Sequence, residues 1–204
     1  MRALPVVLPV VLPVARLVAL LVAVIAGFVA LPGGFLAASA HALEPHSLEG
    51  RVVSVEDGDT VTVLDAGKVQ HRVRLAGIDA PERGQPGGVR SKDSLAEMVF
   101  EQPVRVQWHK RDPYGRLVGT LWVAPQEAQC RGRPECPTTL DAGLAQLRLG
   151  RAWWFRRYAA EQPPDERERY ESEEAQARQA KLGLWRDGGA VAPWEWRQRA
   201  RPRP

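Results

Sequence analysis

The chain has 204 residues, enough for one domain or at most two. Its formal charge is +4, but Arg2 and Arg16 stand apart in an apolar leader, and without them only +2 remains. Residues 43–145 hold 13 Lys/Arg against 15 Asp/Glu, and residues 146–204 hold 13 against 9. A uniformly basic coat is therefore excluded as the means of binding a polyanion, and any phosphate must be held by a local pocket of arginines.

From Leu17 to Leu31 the sequence LVALLVAVIAGFVAL is wholly apolar, and it leads into ASAHA, ending at Ala42. A basic flank, an apolar core and small residues, in that order, read as a secretory signal over residues 1–42. The alternative is an uncleaved membrane anchor, since the apolar region to Ala38 is long enough to cross a bilayer. Pro32, Gly33 and Gly34 interrupt it and favour cleavage. Both readings place the body of the chain outside the cytoplasm, secreted or in the periplasm or cell envelope.

After a polar lead, LEPHSLEG, the segments RVVSVE (Arg51 to Glu56) and TVTVLD (Thr60 to Asp65) are rich in β-branched residues and read as strands. The DGD between them is a tight turn, and DAGK, from Asp65 to Lys68, is a second. A third strand, VQHRVRLAG, puts Val73 and Leu75 on one face and Arg72 and Arg74 on the other. A Gly/Pro-rich loop from Ile78 to Val89 leads to KDSLAEMVF, where Leu95, Met98 and Val99 have helical spacing.

PVRVQWH and RLVGTLWV are the fourth and fifth strands, joined by the turn KRDPYG. A helix is expected near Thr138, taken as its N-cap with Asp141 three residues on, and with Leu140, Leu144 and Leu147 on its apolar face. A last helix runs from about Pro164 to Leu182, with Glu174 and Arg178 paired at i, i+4 and one side open to solvent. The end, RQRARPRP, reads as a mobile basic tail, with the domain itself over 43–198 and the tail proper over 199–204. Five strands with helices after the third and the fifth define a mainly β fold, a five-stranded, partly open OB-type barrel with about three packed helices.

Cys130 and Cys136 are the only cysteines, in QCRGRPEC. No pair of histidines has metal-ligand spacing, so a disulfide formed in an oxidising compartment is expected, with two free thiols as the alternative.

The chemistry concentrates in DGDT and in RLAGIDAPERGQ. Two acids around a glycine suggest a calcium loop, but an EF-hand starting at Asp57 would put Thr62 where glycine is required and Lys68 where the final glutamate belongs. Asp59 and Asp79 can instead meet across the turns, forming an oxygen site for a hard cation. Arg74, on the polar face of its strand, and Arg116, after the YG turn, are the candidate phosphate ligands; for Arg74 an ion pair with a neighbouring glutamate is the alternative. Glu82 lies three residues past Asp79, where it can take a proton from water, or can be a solvated turn acid.

DGDT, RLAGIDAPE, YGR, GRAWWFRRY, EAQARQAKLGLW and PWEW together, across nearly all of 50–198, resemble the staphylococcal nuclease (thermonuclease) family, an OB-fold group of calcium-dependent nucleases. The resemblance implies Ca2+ held by Asp59, Asp79 and the backbone carbonyl of Ala80. It implies Arg74 and Arg116 as catalytic arginines, Glu82 as the general base or water-orienting acid, and Tyr114 near a terminal phosphate. Arg156 and Tyr158 fall where two aromatics line the nucleotide pocket in the best-known member, and Pro113 replaces a lysine that assists with phosphate. DNA and RNA would be the substrates of a monomer, with 3′-phosphate ends as products. A catalytically silent OB module that only binds nucleic acid is the alternative, and a sugar- or protein-binding barrel would leave the acid and arginine set unexplained.

Overall fold

The computed structural model describes residues 46–200, so the expected signal or anchor over 1–42 lies outside the described residues. The first strand, β1 (His46–Val55), begins five residues before the sequence pattern suggests, and takes up much of the polar lead. Its first half pairs antiparallel with β5 (Pro103–Arg111) and its second half with β2 (Thr60–Asp65), so a single bent strand belongs to both sides of the barrel. A bulge between Val52 and Ser54 accommodates the bend.

β3 (Gln70–Leu75) follows β2 across the DAGK turn, and β6 (Leu117–Val123) returns antiparallel along β5. Parallel pairing of β3 with β6, Arg74 opposite Val118, closes the ring. The barrel is therefore a closed five-stranded mixed barrel of the OB type, where the sequence suggests a partly open one. Its interior is filled by Val73 and Leu75, as their alternation predicts, and by Val61, Val63, Val106, Leu117 and Leu121, all buried.

Three helices pack on the barrel and a fourth lies near the C-terminus. α1 (Gly88–Val99) presents Leu95, Met98 and Val99 to the core, as their spacing predicts. α2 (Ala142–Arg148) starts later than expected: Leu140 and Asp141 form a short strand, β7, on the end of β6, and Asp141, not Thr138, is the N-cap. Its carboxylate accepts from the N–H groups of Gly143 and Leu144 and from the Tyr170 hydroxyl at 2.7 Å, a set of donors that Thr138 cannot match.

In α3 (Pro164–Gln179) the expected i, i+4 pair of Glu174 with Arg178 forms at 3.2 Å. Glu174 is buried, and it accepts from the Trp154 N–H and from Arg156 as well as Arg178. Trp153 and Trp154, in β8, are both buried, and β8 pairs with β4 (Ile78–Asp79) beside the barrel mouth. α4 (Pro193–Ala200) turns the first half of the expected mobile end RQRARPRP into helix.

Candidate active site

The two acids meet because the β1–β2 turn is packed tightly onto the loop after β3. A Cβ added at Gly58 would lie 1.8 Å from Ser91 Oγ and 2.8 Å from the Ala80 side chain, so only glycine permits this approach. Gln146, fully buried on α2, fixes the contact by donating to Gly58 O and Ser91 O, both at 2.9 Å. The Ala80 N–H donates to Asp59 Oδ2 at 2.7 Å, and Leu75 N–H donates to Asp59 O at 2.8 Å. Asp59 and Asp79 are both buried as a result.

Arg74 lies between them. Its Nε is 3.2 Å from Asp59 Oδ1 and its Nη2 is 3.0 Å from Asp79 Oδ1. Nη1 uses both hydrogens on backbone carbonyls, of Leu75 at 2.8 Å and Ile78 at 2.9 Å. A guanidinium has five N–H donors, so among the described residues one Nη2 hydrogen of Arg74 is left unengaged. Asp57, one residue before Gly58, has its carboxyl pushed up to about 6 by burial and then by the charge of Asp59.

Arg116 reaches the same place from the β5–β6 turn. Asp112 holds it at 2.7 Å through Nε, and its Nη1 lies 3.5 Å from Thr60 Oγ1, which donates to Asp59 Oδ1 at 3.0 Å. The two arginines are thus linked through Thr60 and Asp59, and Nη2 of Arg116 makes no hydrogen bond among the described residues. Tyr114 is largely exposed, with the Arg116 guanidinium 5.6 Å from its ring.

Glu82 points to a partner that the sequence patterns do not reveal. Arg197, on α4, donates to Glu82 Oε1 at 2.6 Å and to Asp79 Oδ2 at 2.7 Å. Burial works against the Arg197 charge, yet the hydrogen bonds to Asp79 and then Glu82 outweigh it and raise its pKa above the ordinary guanidinium value. No local spacing signals a contact made across 115 and 118 residues. The only hint is the PWEW motif just before it.

The expected substrate residues are not gathered equally. Tyr158 is partly exposed, edge-on to Phe155 and 5.0 Å from Lys110 Nζ. Arg156 pairs with Glu174 at 3.0 Å and stacks over Trp154, and it lines a cleft of about 380 Å³ with Phe155, Trp194 and Arg197. The arrangement contains two buried carboxylates, a carboxylate at the rim and arginines on both sides. Among the described residues no three Asp, Glu, His or Cys side chains converge to form a metal cage. A cation would therefore need the two acids plus backbone oxygen and water.

An OB barrel with acids and arginines gathered at the ends of β2, β3 and β6 defines a class of barrel built around anion chemistry. Residues 72–187 match the family described as Staphylococcal nuclease homologue. The chain is 42% identical over 156 residues to Protein ParB of Escherichia coli, covering 76% of this chain and 82% of that protein. It is 42% identical over 149 residues to a Micrococcal nuclease of Shigella flexneri, covering 73% and 80%, and 36% identical over 154 residues to an Uncharacterized endonuclease of Escherichia coli, covering 74% and 86%. The chain belongs to the staphylococcal nuclease family.

Proposed function

We propose that this protein is a nuclease that hydrolyses the phosphodiester backbone of DNA and RNA with the help of calcium, leaving 3′-phosphate ends. The convergence of Asp59 and Asp79 around Arg74, with Arg116 one hydroxyl away, is the observation that supports it. The donors suit a hard cation: Asp59 and Asp79 are buried carboxylates that offer oxygen, to which the Ala80 carbonyl and water would add. Calcium bound there would offset phosphate charge and make a water more acidic.

The remaining work belongs to side chains of the chain. Glu82 accepts the proton of the attacking water as its oxygen bonds to phosphorus. Arg116 Nη2 and the unengaged Arg74 hydrogen donate to the phosphoryl oxygens as negative charge grows there. The bond from phosphorus to the 5′ oxygen breaks, that oxygen leaves with the bonding pair and is protonated by water to a 5′ hydroxyl, and the 3′ side keeps the phosphate. Tyr114, Arg156 and Tyr158 present aromatic and guanidinium faces on which the substrate can rest. Arg156 brings to this role the half-exposed side of a guanidinium whose Nη1 is paired with Glu174.

Incubation of the purified 43–204 fragment with single-stranded DNA and with RNA in calcium tests the reading. Both should be degraded to products that lose phosphate from their 3′ ends on phosphatase treatment. Products with 5′-phosphates would overturn the polarity. Retarded but intact strands would mark the silent binding module instead.

A further inference from the structure

The C-terminal helix α4 is seated without help from Arg197. Ala192 and Pro193 are buried, and Trp194 stacks on Phe155 with centroids 5.6 Å apart and planes 10° from parallel. The Gln85 side chain donates to Val191 O at 2.6 Å. The Arg197 guanidinium therefore arrives at the cleft from a support fixed by packing and a backbone hydrogen bond.

There it forks. Nη2 donates to Asp79 Oδ2 at 2.7 Å, while Nη1 donates to Glu82 Oε1 at 2.6 Å and lies 3.3 Å from Asp79 Oδ1. Glu82 sits on a loop, is 40% exposed, and among the described residues its carboxylate has no other side-chain partner. Left alone, such a side chain would sample several rotamers. Asp79, by contrast, is already held by Arg74.

We propose that Arg197 is a positioning residue, whose planar fork holds the Glu82 carboxylate beside Asp79 so that the proton acceptor keeps a fixed place relative to the cation-binding acids. The proposal rests on the role given to Glu82 above. A lysine cannot reproduce it, because an ammonium is a point charge without the two-pronged geometry that spans two carboxylates. Arg197 acts through Glu82 and needs no contact with substrate.

The test is a double-mutant cycle on the purified protein, with kcat and KM measured for Arg197→Ala, Arg197→Lys, Glu82→Gln and the Arg197→Ala/Glu82→Gln pair. Loss of a partner that orients a functional carboxylate lowers activity roughly 10–100-fold, and here the loss should fall on kcat with KM nearly unchanged. Arg197→Lys should recover only part of it. The double variant should be no more than about threefold slower than Glu82→Gln alone, since residues acting as a unit are not additive.

A second readout does not involve turnover. Without Arg197, Glu82 loses its guanidinium and Asp79 keeps only Arg74, so calcium should raise the Tm of Arg197→Ala by more than it raises that of the wild type. A merely structural arginine would lower Tm equally in calcium and in chelator. Losses that multiply in the double variant, wild-type kcat in Arg197→Ala, or an equal calcium shift would each overturn the proposal. Should Arg197→Ala not fold, the cycle runs on Arg197→Lys, which keeps stem and charge. Wild-type turnover in Glu82→Gln would instead refute the role of Glu82 itself.

Discussion

Arg74 is the residue on which the cleft turns, because its guanidinium touches both acids and two carbonyls of the loop between them. In the proposed reaction its removal takes away a partner for developing charge, and it leaves Asp59 without its guanidinium and Asp79 with Arg197 alone. Glu82→Gln removes the proposed proton acceptor, together with the charge that Arg197 pairs with, and keeps the shape. Each of Arg74→Ala and Glu82→Gln is expected to lower kcat by at least about 10²-fold, the size seen when transition-state partners are lost. Steady-state kinetics with circular dichroism as a control on folding would check this, and near-wild-type turnover in either variant would reject its role. At this scale the sequence was informative where contacts are local. Asp59, Arg74, Asp79 and Glu82 lie within one meander, so strand alternation and turn residues suffice to bring them near one another. Arg197 and Gln146 were not legible, because each acts across a long stretch of chain from an element whose docking no periodicity encodes.

The elements differ in how well their sequences announce them. Alternation in β6 and the i, i+3, i+4 spacing in α1 match the observed burial. The sequence pattern starts α2 too early because Thr138 and Asp141 both suit an N-cap, and only the fold brings the Tyr170 hydroxyl to Asp141. The Cys130–Cys136 disulfide is present, in a loop that Arg131 ties to the Glu97 and Met98 carbonyls at the C-terminal end of α1. The opposite end of α1 packs on the loop that carries Glu82, where a Cβ at Gly88 would lie 2.0 Å from Glu82 O. A bond that closes so short a loop is worth about 2 kcal/mol in the loop-entropy model. Reduction should therefore lower Tm by roughly 4–8 °C while kcat stays close to that of the oxidised protein. A scanning unfolding measurement with and without reductant, paired with an activity assay, reads both; a collapse of activity on reduction would show that the loop supports the cleft.

For the molecule as a whole, the barrel supplies a rigid frame and the loops supply chemistry, the usual division in folds that host many activities. Closure of β3 on β6 places Arg74 next to the strand that Arg116 leads into, so the ring itself aligns the arginine pair. The near-neutral balance of charge over 43–198 leaves the local cleft, rather than the general surface, to select a polyanion. The most direct test is cleavage of single-stranded DNA by the purified 43–204 fragment, followed over time in calcium and in excess chelator, with Asp59→Asn and Asp79→Asn alongside. Rapid cleavage by the wild type in calcium, none in chelator and little by either variant is the expected result. Digestion that persists in chelator, or that survives the loss of both acids, would contradict a cation held between Asp59 and Asp79.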